Sequence, residues 1–167
     1  MSDLPQNTAM NRVERDTDGR LVYVTIDSTP PPTDQCNVWL VAIDGSPHSL
    51  RATAAAMRQA SAMKPCALHL VNVQTWLALE AAESELLRRG LIATAEARRI
   101  LDEVGQPWRL HVVMGEAAES IVGLADRLGC QGIVIGHHGQ GVAKTLLLGS
   151  VAQKVTHLSA LPVMVVP

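Results

Sequence analysis

Residues 132–150 read GIVIGHHGQGVAKTLLLGS, an apolar run followed by a glycine-rich loop that includes Gly136, Gly139 and Gly149 and ends in a serine. Two residues separate Gly136 from Gly139, and nine residues separate Gly139 from Gly149 and the adjoining Ser150. Glycine has no Cβ, so backbone N–H groups in such a loop can turn toward an anion. The N-terminus of a following helix adds unpaired N–H donors and partial positive charge. The stretch therefore predicts a strand, a phosphate-binding loop and a helix, and hence a nucleotide-binding protein.

The rest of the chain alternates predicted strands and helices. Apolar runs predict five strands, which cover residues 38–43, 67–73, 110–114, 133–135 and 162–166. Ser46 and Pro47 predict the N-cap and first turn of one helix. Helical spacing predicts three further helices, over residues 79–103, 116–128 and 149–158. Gly90 marks a point where the second helix could break. We expect the α/β class, with an open, doubly wound parallel sheet of five strands in the order 3-2-1-4-5, as in Rossmann-like and flavodoxin-like three-layer α/β/α folds.

Residues 1–36 differ from the rest and are expected to form a polar N-terminal extension. Their run Pro30-Pro31-Pro32 is typical of an extended linker. Within the extension, residues 21–26 (LVYVTI) could add one short strand to an edge of the sheet, and we expect residues 1–19 to be mobile. Residues 37–167 would then form one nucleotide-binding domain.

The composition limits the partners that this chain is expected to have. With a net charge of −2, it offers no electrostatic case for binding nucleic acid or a membrane surface. Phenylalanine is absent and aromatic residues make up 2%, so a nucleobase pocket should be aliphatic. We find no secretory signal, no apolar run near the ~20 residues of a membrane-spanning helix, and only widely spaced cysteines. We therefore expect a cytoplasmic protein with reduced thiols and no membrane insertion.

A second loop, Asp44-Gly45-Ser46, follows the first predicted strand. In the expected strand order it faces the glycine loop across the crevice where α/β sheets bind ligands. The Asp44 carboxylate either accepts hydrogen bonds from a ribose or braces the turn into the first helix. With the glycine loop beside it, we favour the ribose. Ser150 is either an N-cap or a phosphate contact, and a capping hydroxyl can also face a phosphate.

His137 and His138 lie within the glycine loop and are candidates either for metal ligands or for phosphate contacts. Adjacent loop histidines lack the spacing of a chelating pair, so we predict no metal site and take His137 as a supplementary phosphate contact. Lys144 either approaches the γ-phosphate or is a solvated loop lysine. No nucleophile–base pair, nucleophile elbow or Walker A lysine is found, so no residue is predicted to be catalytic.

These residues resemble the universal stress protein family, in its ATP-binding subgroup. The resemblance covers residues 37–167, through segments 38–46, 69–73, 113–115 and 162–167 and an ungapped Gly-x2-Gly-x9-Gly-Ser pattern. It implies an ATP pocket in which Asp44 meets the ribose while Ala42 and Val73 border the adenine. The phosphates, with a Mg²⁺ or Mn²⁺ ion bound mainly through them, would be held by Gly136, Gly139, Gly149 and Ser150.

The last predicted strand lies at an edge of the sheet in this order. Its residues 163–166 carry no charge, and a bare apolar edge is an aggregation hazard unless something covers it. Pairing with the same strand of a second copy would cover the edge through a two-fold contact. The family resemblance implies the same homodimer through Val163–Val166.

Two functions stay open. One is a regulatory, stress-response module in which ATP orders loop 137–148 and changes a surface that an unidentified protein partner reads. The other is a slow ATPase or nucleotide-transfer enzyme with the same pocket, although no base that would activate water is evident. The sequence favours the module and leaves weak hydrolysis open. A phospho-acceptor receiver is disfavoured because Met114-Gly115 stands where its acceptor aspartate belongs.

Overall fold

Strands and helices alternate along the chain in the computed structural model, which describes residues 10–33, 37–140 and 147–167. The strands are β1 Met10–Arg15, β2 Leu21–Asp27, β3 Asn37–Ala42, β4 Cys66–Gln74, β5 Trp108–Met114, β6 Gly132–Gly136 and β7 Val163–Val166. The helices are α1 Pro47–Ala62, α2 Leu79–Glu103, α3 Ala117–Leu128 and α4 Ser150–Leu158. Within the described ranges, no helix combines the length and the apolarity needed to cross a membrane.

Within the part of the chain that the structure describes, the sheet has seven strands in the order β1-β2-β5-β4-β3-β6-β7, so the prediction of a five-stranded sheet is wrong. The α/β class and a predominantly parallel sheet are confirmed. Strands β3 to β7 pair in parallel and follow the order 3-2-1-4-5 when β3 is counted first. The two further strands, β1 and β2, form an antiparallel hairpin that is added beside β5.

The hairpin comes from the N-terminal extension and is built into the sheet. Strand β2 lies between β1 and β5, and most of its side chains are buried on one face or the other. Val24 and Ile26 belong to the core under α1 and α2, while Tyr23 belongs to the core under α3 and α4. The expectation that residues 1–19 are mobile is wrong for Met10–Arg15, which forms the edge strand. Pairing with β2 satisfies backbone groups of β5 that would otherwise form an open edge.

The helix starts follow the capping signals of the sequence, with one correction. Ser46 caps α1, because its Oγ accepts a hydrogen bond from the backbone N–H of Ser49 at 3.2 Å, and Pro47 is the first helical residue. At α4 the N-cap is Gly149, so Ser150 is the first residue of the helix and not its cap.

The core lies on both faces of the sheet. Helices α1 and α2 cover one face, where Leu68 and Leu110 are fully buried. Helices α3 and α4 cover the other face, where Leu40 and Ile133 are fully buried. Strands covered on both faces read as continuous apolar runs, which is why the sequence located the five parallel strands.

Helix α2 is continuous from Leu79 to Glu103, so a break at Gly90 is wrong. A Cβ placed on Gly90 would lie 2.4 Å from Cγ2 of Val112, a residue of β5 with no exposed surface. Glycine at this position lets the helix pack closely on the sheet, and that close packing offsets its low helix propensity.

Two helical glycines should therefore respond in opposite ways to the same substitution. Gly90→Ala should lower the free energy of unfolding by about 1–3 kcal/mol, because the new methyl group overpacks against the stiff side chain of Val112. Gly123→Ala in α3 should raise it by about 0.5–1 kcal/mol, because its Cβ would meet open space. Urea unfolding of both variants measures the difference, and a stabilised Gly90→Ala protein would contradict the close packing.

A buried polar cluster joins the hairpin to the parallel strands. The Tyr23 hydroxyl lies 2.7 Å from Nδ1 of His111, whose Nε2 lies 2.9 Å from Nδ1 of His69. All three side chains are buried. Nearby, the guanidinium of Arg109 donates two hydrogen bonds, of 2.6 and 2.8 Å, to the carboxylate of Asp27. Burial, and after it the charges of neighbouring groups, lowers the pKa of His111 well below its usual value, so His111 is neutral at pH 7.

This neutral histidine should make the stability of the protein depend on pH. Unfolding returns His111 to the usual pKa of about 6.5, so below that pH the unfolded chain binds a proton that the native protein refuses. Stability is then complete above pH 6.5 and falls as the pH drops, by at most ~1.4 kcal/mol per unit for this one proton. Unfolding free energies between pH 7.5 and about 5.5 should show the slope.

The slope should be smaller in His111→Gln and unchanged in His157→Gln, which alters an exposed histidine of α4. An equal slope in wild type and His111→Gln would assign the pH dependence to other groups.

Candidate functional site at the switch point of the sheet

A cavity of about 280 Å³ lies at the carboxyl ends of β3 and β6. Strand β3 leads into α1 on one face of the sheet, and β6 leads toward α4 on the other face. A point where neighbouring strands send the chain in opposite directions is where open α/β sheets bind ligands. The cavity is lined by Ala42, Ile43, Asp44, Ser49, Val71, Val73, Ala117, Ile121, Ile135, Gly136, His138, Gly139, Gln140, Gly149, Ser150, Val151 and Ala152.

One side of the cavity is aliphatic. Ala42 of β3 and the β4 residues Val71 and Val73 line it, together with Ile121 of α3 and Ile135 of β6. Both residues predicted to border a base, Ala42 and Val73, therefore lie at the cavity. Aliphatic side chains of this kind can enclose a planar ring and leave polar main-chain atoms to contact its edge.

The other side is closed by the three predicted glycines, Gly136, Gly139 and Gly149. A Cβ on Gly139 would lie 2.7 Å from Oδ2 of Asp44. A Cβ on Gly136 would lie 2.7 Å from the backbone carbonyl carbon of His48 in the first turn of α1. These distances are shorter than carbon atoms tolerate, so the loop can pack this closely only with glycine at these positions.

The first turn of α4 completes this side of the cavity. Gly149, the N-cap, donates its backbone N–H to the carbonyl oxygen of His137 at 2.8 Å. As a glycine it has no side chain to accept from the N–H groups that follow it. Ser150 and Val151, which begin the helix, line the cavity. Backbone donors and the positive end of the helix dipole therefore lie where an anionic group would be stabilised.

Asp44 braces its turn and also lines the cavity, so it fits both roles that the sequence left open. Its Oδ1 accepts a hydrogen bond from the backbone N–H of Ser46 at 2.9 Å. Its Oδ2 accepts one from the backbone N–H of Gln140 at 3.0 Å, and the Gln140 side-chain amide donates to the Asp44 carbonyl oxygen at 2.7 Å. An ionised carboxylate has about four acceptor positions, so these two bonds leave room for hydroxyl donors of a ligand.

The structure places His138, rather than His137, at the cavity. His137 is held by its backbone, which donates to the carbonyl oxygen of Val166 at 2.7 Å and accepts from Gly149. His138 lines the cavity with only 9% of its surface exposed, and its ring stands edge-on to that of His48. The spacing of two adjacent loop histidines does not indicate which of them turns inward, so the sequence could not make this choice.

Sequence reasoning also missed Gln140, which ties the glycine loop to the turn after β3. The one signal for Gln140 was its position next to Gly139, and this position does not distinguish it from a glutamine in an ordinary loop. Sequence reasoning likewise missed a role for Ile121 and Ile135 at the site, because only the packing of α3 over the sheet brings them to the cavity. Lys144 lies outside the described residues. Among the residues that are described, no group of three or more His, Cys, Asp or Glu side chains is arranged to hold a metal ion.

The fold and cavity define a doubly wound α/β protein whose candidate site is bordered by a glycine loop. Residues 38–167 match the universal stress protein family. The match covers most of the chain, so this protein belongs to the universal stress protein family.

Several curated relatives are similar to this chain in sequence. Universal stress protein YxiE of Bacillus subtilis is 32% identical over 145 residues, which cover 78% of this chain and 98% of the relative. Universal stress protein Rv2005c of Mycobacterium tuberculosis is 32% identical over 148 residues, or 83% of this chain and 48% of the relative. The chain thus spans about half the length of some curated relatives that it matches.

Two solved structures show the same fold. A universal stress protein in complex with cAMP aligns with a TM-score of 0.64 and 26% identity, covering 79% of this chain and 97% of that chain. UspA of Lactobacillus plantarum aligns with a TM-score of 0.67 over 78% of this chain and 97% of that chain, and its 20% identity supports the fold alone.

Proposed function

We propose that this protein binds an adenine nucleotide, ATP with Mg²⁺ or Mn²⁺, and acts as a nucleotide-dependent regulatory module of the stress response. The observation that carries the proposal is the layout of the cavity. The cavity brings together aliphatic side chains, the Asp44 carboxylate and the glycine-bordered N-terminus of α4, which are the kinds of group that suit a base, a ribose and phosphates. The solved relative at 26% identity that holds cAMP supports an adenine nucleotide as the ligand class.

Each predicted residue except His137 has a part in this proposal. Ala42 and Val73 contact the adenine, and Asp44 accepts hydrogen bonds from the ribose hydroxyls. The glycines leave room for the phosphates against the first turn of α4, where Ser150 supplies a hydroxyl. The divalent ion is bound mainly through the phosphates, because the one carboxylate among the described lining residues belongs to Asp44.

A regulatory role fits this lining better than catalysis. A general base needs a free acceptor aimed at water, and in this proposal the acceptor positions that the backbone leaves on Asp44 are taken by the ribose hydroxyls. We therefore assign nucleotide binding to residues 37–167 and a sheet-completing role to the extension. The wide spacing of the cysteines supports a cytoplasmic location. The protein partner that reads the bound state is of unknown identity.

Freshly purified protein should release an adenine nucleotide when it is denatured, at close to one mole per mole of chain. Gly149→Val should release little or none, because its side chain would enter the space beside the carbonyl of His137, where even a Cβ comes within 2.9 Å. Gly123→Val is the matched control, since a Cβ at that position meets open space. Ion-exchange chromatography of the supernatant identifies and counts the nucleotide.

The ratio of ATP to ADP in that supernatant shows whether the pocket hydrolyses its ligand. An empty wild-type supernatant, followed by no calorimetric binding of ATP with magnesium, would overturn the nucleotide proposal and leave the glycine loop with a structural role.

We also propose that two copies pair through β7. The two edges of the sheet differ, because β1 carries Arg12, Glu14 and Arg15 whereas Val163–Val166 carries no charge. Charged side chains protect an edge from further pairing, and an apolar edge lacks that protection. The four residues of β7 are all partly exposed in the isolated chain, so an antiparallel partner strand would bury them further.

Val165→Asp should shift the protein from dimer to monomer, because an unpaired carboxylate would be buried between the two edges. Val13→Asp places the same charge on the opposite edge strand, where Val13 is 43% exposed, and should leave the mass unchanged. Sedimentation analysis of both variants, with circular dichroism to confirm folding, measures the effect. A folded Val165→Asp protein with an unchanged mass would rule out pairing through β7.

A further inference from the structure

Three histidine rings meet beside the glycine-bordered side of the cavity. The His138 ring stands edge-on to His137, with 4.3 Å between ring centroids, and edge-on to His48 of α1, with 5.3 Å. A Cβ on Gly149 would lie 3.3 Å from Nδ1 of His138, so this imidazole borders the N-cap of α4. His138 therefore lies at the place where the proposed nucleotide would put its phosphates.

His48 is held in its neutral form by a neighbour. One guanidinium nitrogen of Arg51 lies 2.9 Å from Nδ1 of His48, and a guanidinium can only donate hydrogen bonds. Nδ1 of His48 must therefore be the acceptor, and the one N–H proton of the neutral ring lies on Nε2. Desolvation, followed by the charge of Arg51, lowers the pKa of His48. The Nε–H group of Arg51 donates a hydrogen bond to the Pro167 backbone oxygen at 2.6 Å, and this second bond orients the guanidinium.

His138 is the ring in this cluster that borders the cavity itself. The groups near the cluster are the imidazoles of His48 and His137, the guanidinium of Arg51 and the carboxylate of Asp44. The described first turn of α4 adds no titratable side chain and contributes the positive end of its dipole. The positive groups here are the guanidinium of Arg51 and the end of the α4 dipole, Asp44 is the negative group, and a phosphate chain would add further negative charge beside the ring.

We propose that His138 determines specificity at the proposed nucleotide site: it takes up a proton from solvent when phosphates bind and so favours nucleotides with longer phosphate chains. The inference rests on the proposed function. No bond of the nucleotide is broken, because the one change is a proton moved from water to the imidazole. A triphosphate brings more negative charge to the ring than a monophosphate, so ATP should gain more from this proton than AMP.

Calorimetric titration of the full chain tests the proton directly. ATP with magnesium is titrated at pH 7.5 in two buffers of different ionisation enthalpy, and the difference in heat gives the number of protons bound. The phosphates have a last pKa of about 6, so a proton taken up at this pH goes to the protein. Wild type should take up more than ~0.5 proton per ATP, which is the uptake of a single group that gains its proton on binding.

The affinity for nucleotides should also depend on pH, and more strongly for ATP than for AMP. Wild type should bind ATP roughly fivefold more tightly at pH 7.0 than at pH 8.5, with a smaller ratio for AMP. His138→Gln should lose most of the proton uptake and of the pH dependence, and it should discriminate less between ATP and AMP. His157→Gln removes an exposed histidine and should behave as wild type.

The outcomes separate the two proposals. ATP binding with no proton uptake, or with equal uptake in wild type and His138→Gln, overturns the role of His138 and leaves nucleotide binding intact. No binding of ATP by wild type overturns the nucleotide proposal and this inference with it. If His138→Gln does not fold, wild type alone decides, because equal proton uptake for ATP and AMP contradicts selection by phosphate charge.

Discussion

The site depends on a direct backbone contact between the end of β6 and the first turn of α1. Gly136 makes the contact possible, since any side chain there would overlap the backbone of His48. The contact brings the loop after β6 beside the turn after β3, so that Gln140 can donate hydrogen bonds to Asp44. Two loops that lie nearly a hundred residues apart in the chain thereby become two walls of one cavity.

The helix that follows is positioned by the same loop. The N–H of Gly149 donates to the carbonyl of His137, whose own N–H donates to the carbonyl of Val166 in β7. These backbone bonds fix the start of α4 relative to the sheet, and they involve no side chain that a ligand would need. A ligand at the cavity would therefore meet a preorganised set of donors, which lowers the ordering cost of binding.

The N-terminal hairpin makes the two edges of the sheet differ in charge. It covers β5 and leaves β1, which is charged, as the edge on that side, while β7 stays apolar at the other. The hairpin also encloses a chain of hydrogen bonds from Tyr23 through His111 to His69. Burying a polar group is costly unless it is hydrogen-bonded, so these hydrogen bonds favour one register of β2 against β5.

The sequence by itself determined the elements that local chemistry controls. Apolar runs located the five parallel strands, Ser46 and Pro47 located the start of α1, and the glycine spacing located the loop at the cavity. Each of these signals arises within a few residues, from burial on both faces of a strand, from capping, or from a missing Cβ.

The tertiary structure alone decided what depends on contacts between distant segments. It added β1 to the sheet, so the strand predicted at its edge for residues 21–26 lies between β1 and β5 instead. It kept α2 straight through Gly90, because the close contact with Val112 is made across the core. It also turned His138 rather than His137 toward the cavity, because the direction of a loop side chain is set by what packs against it.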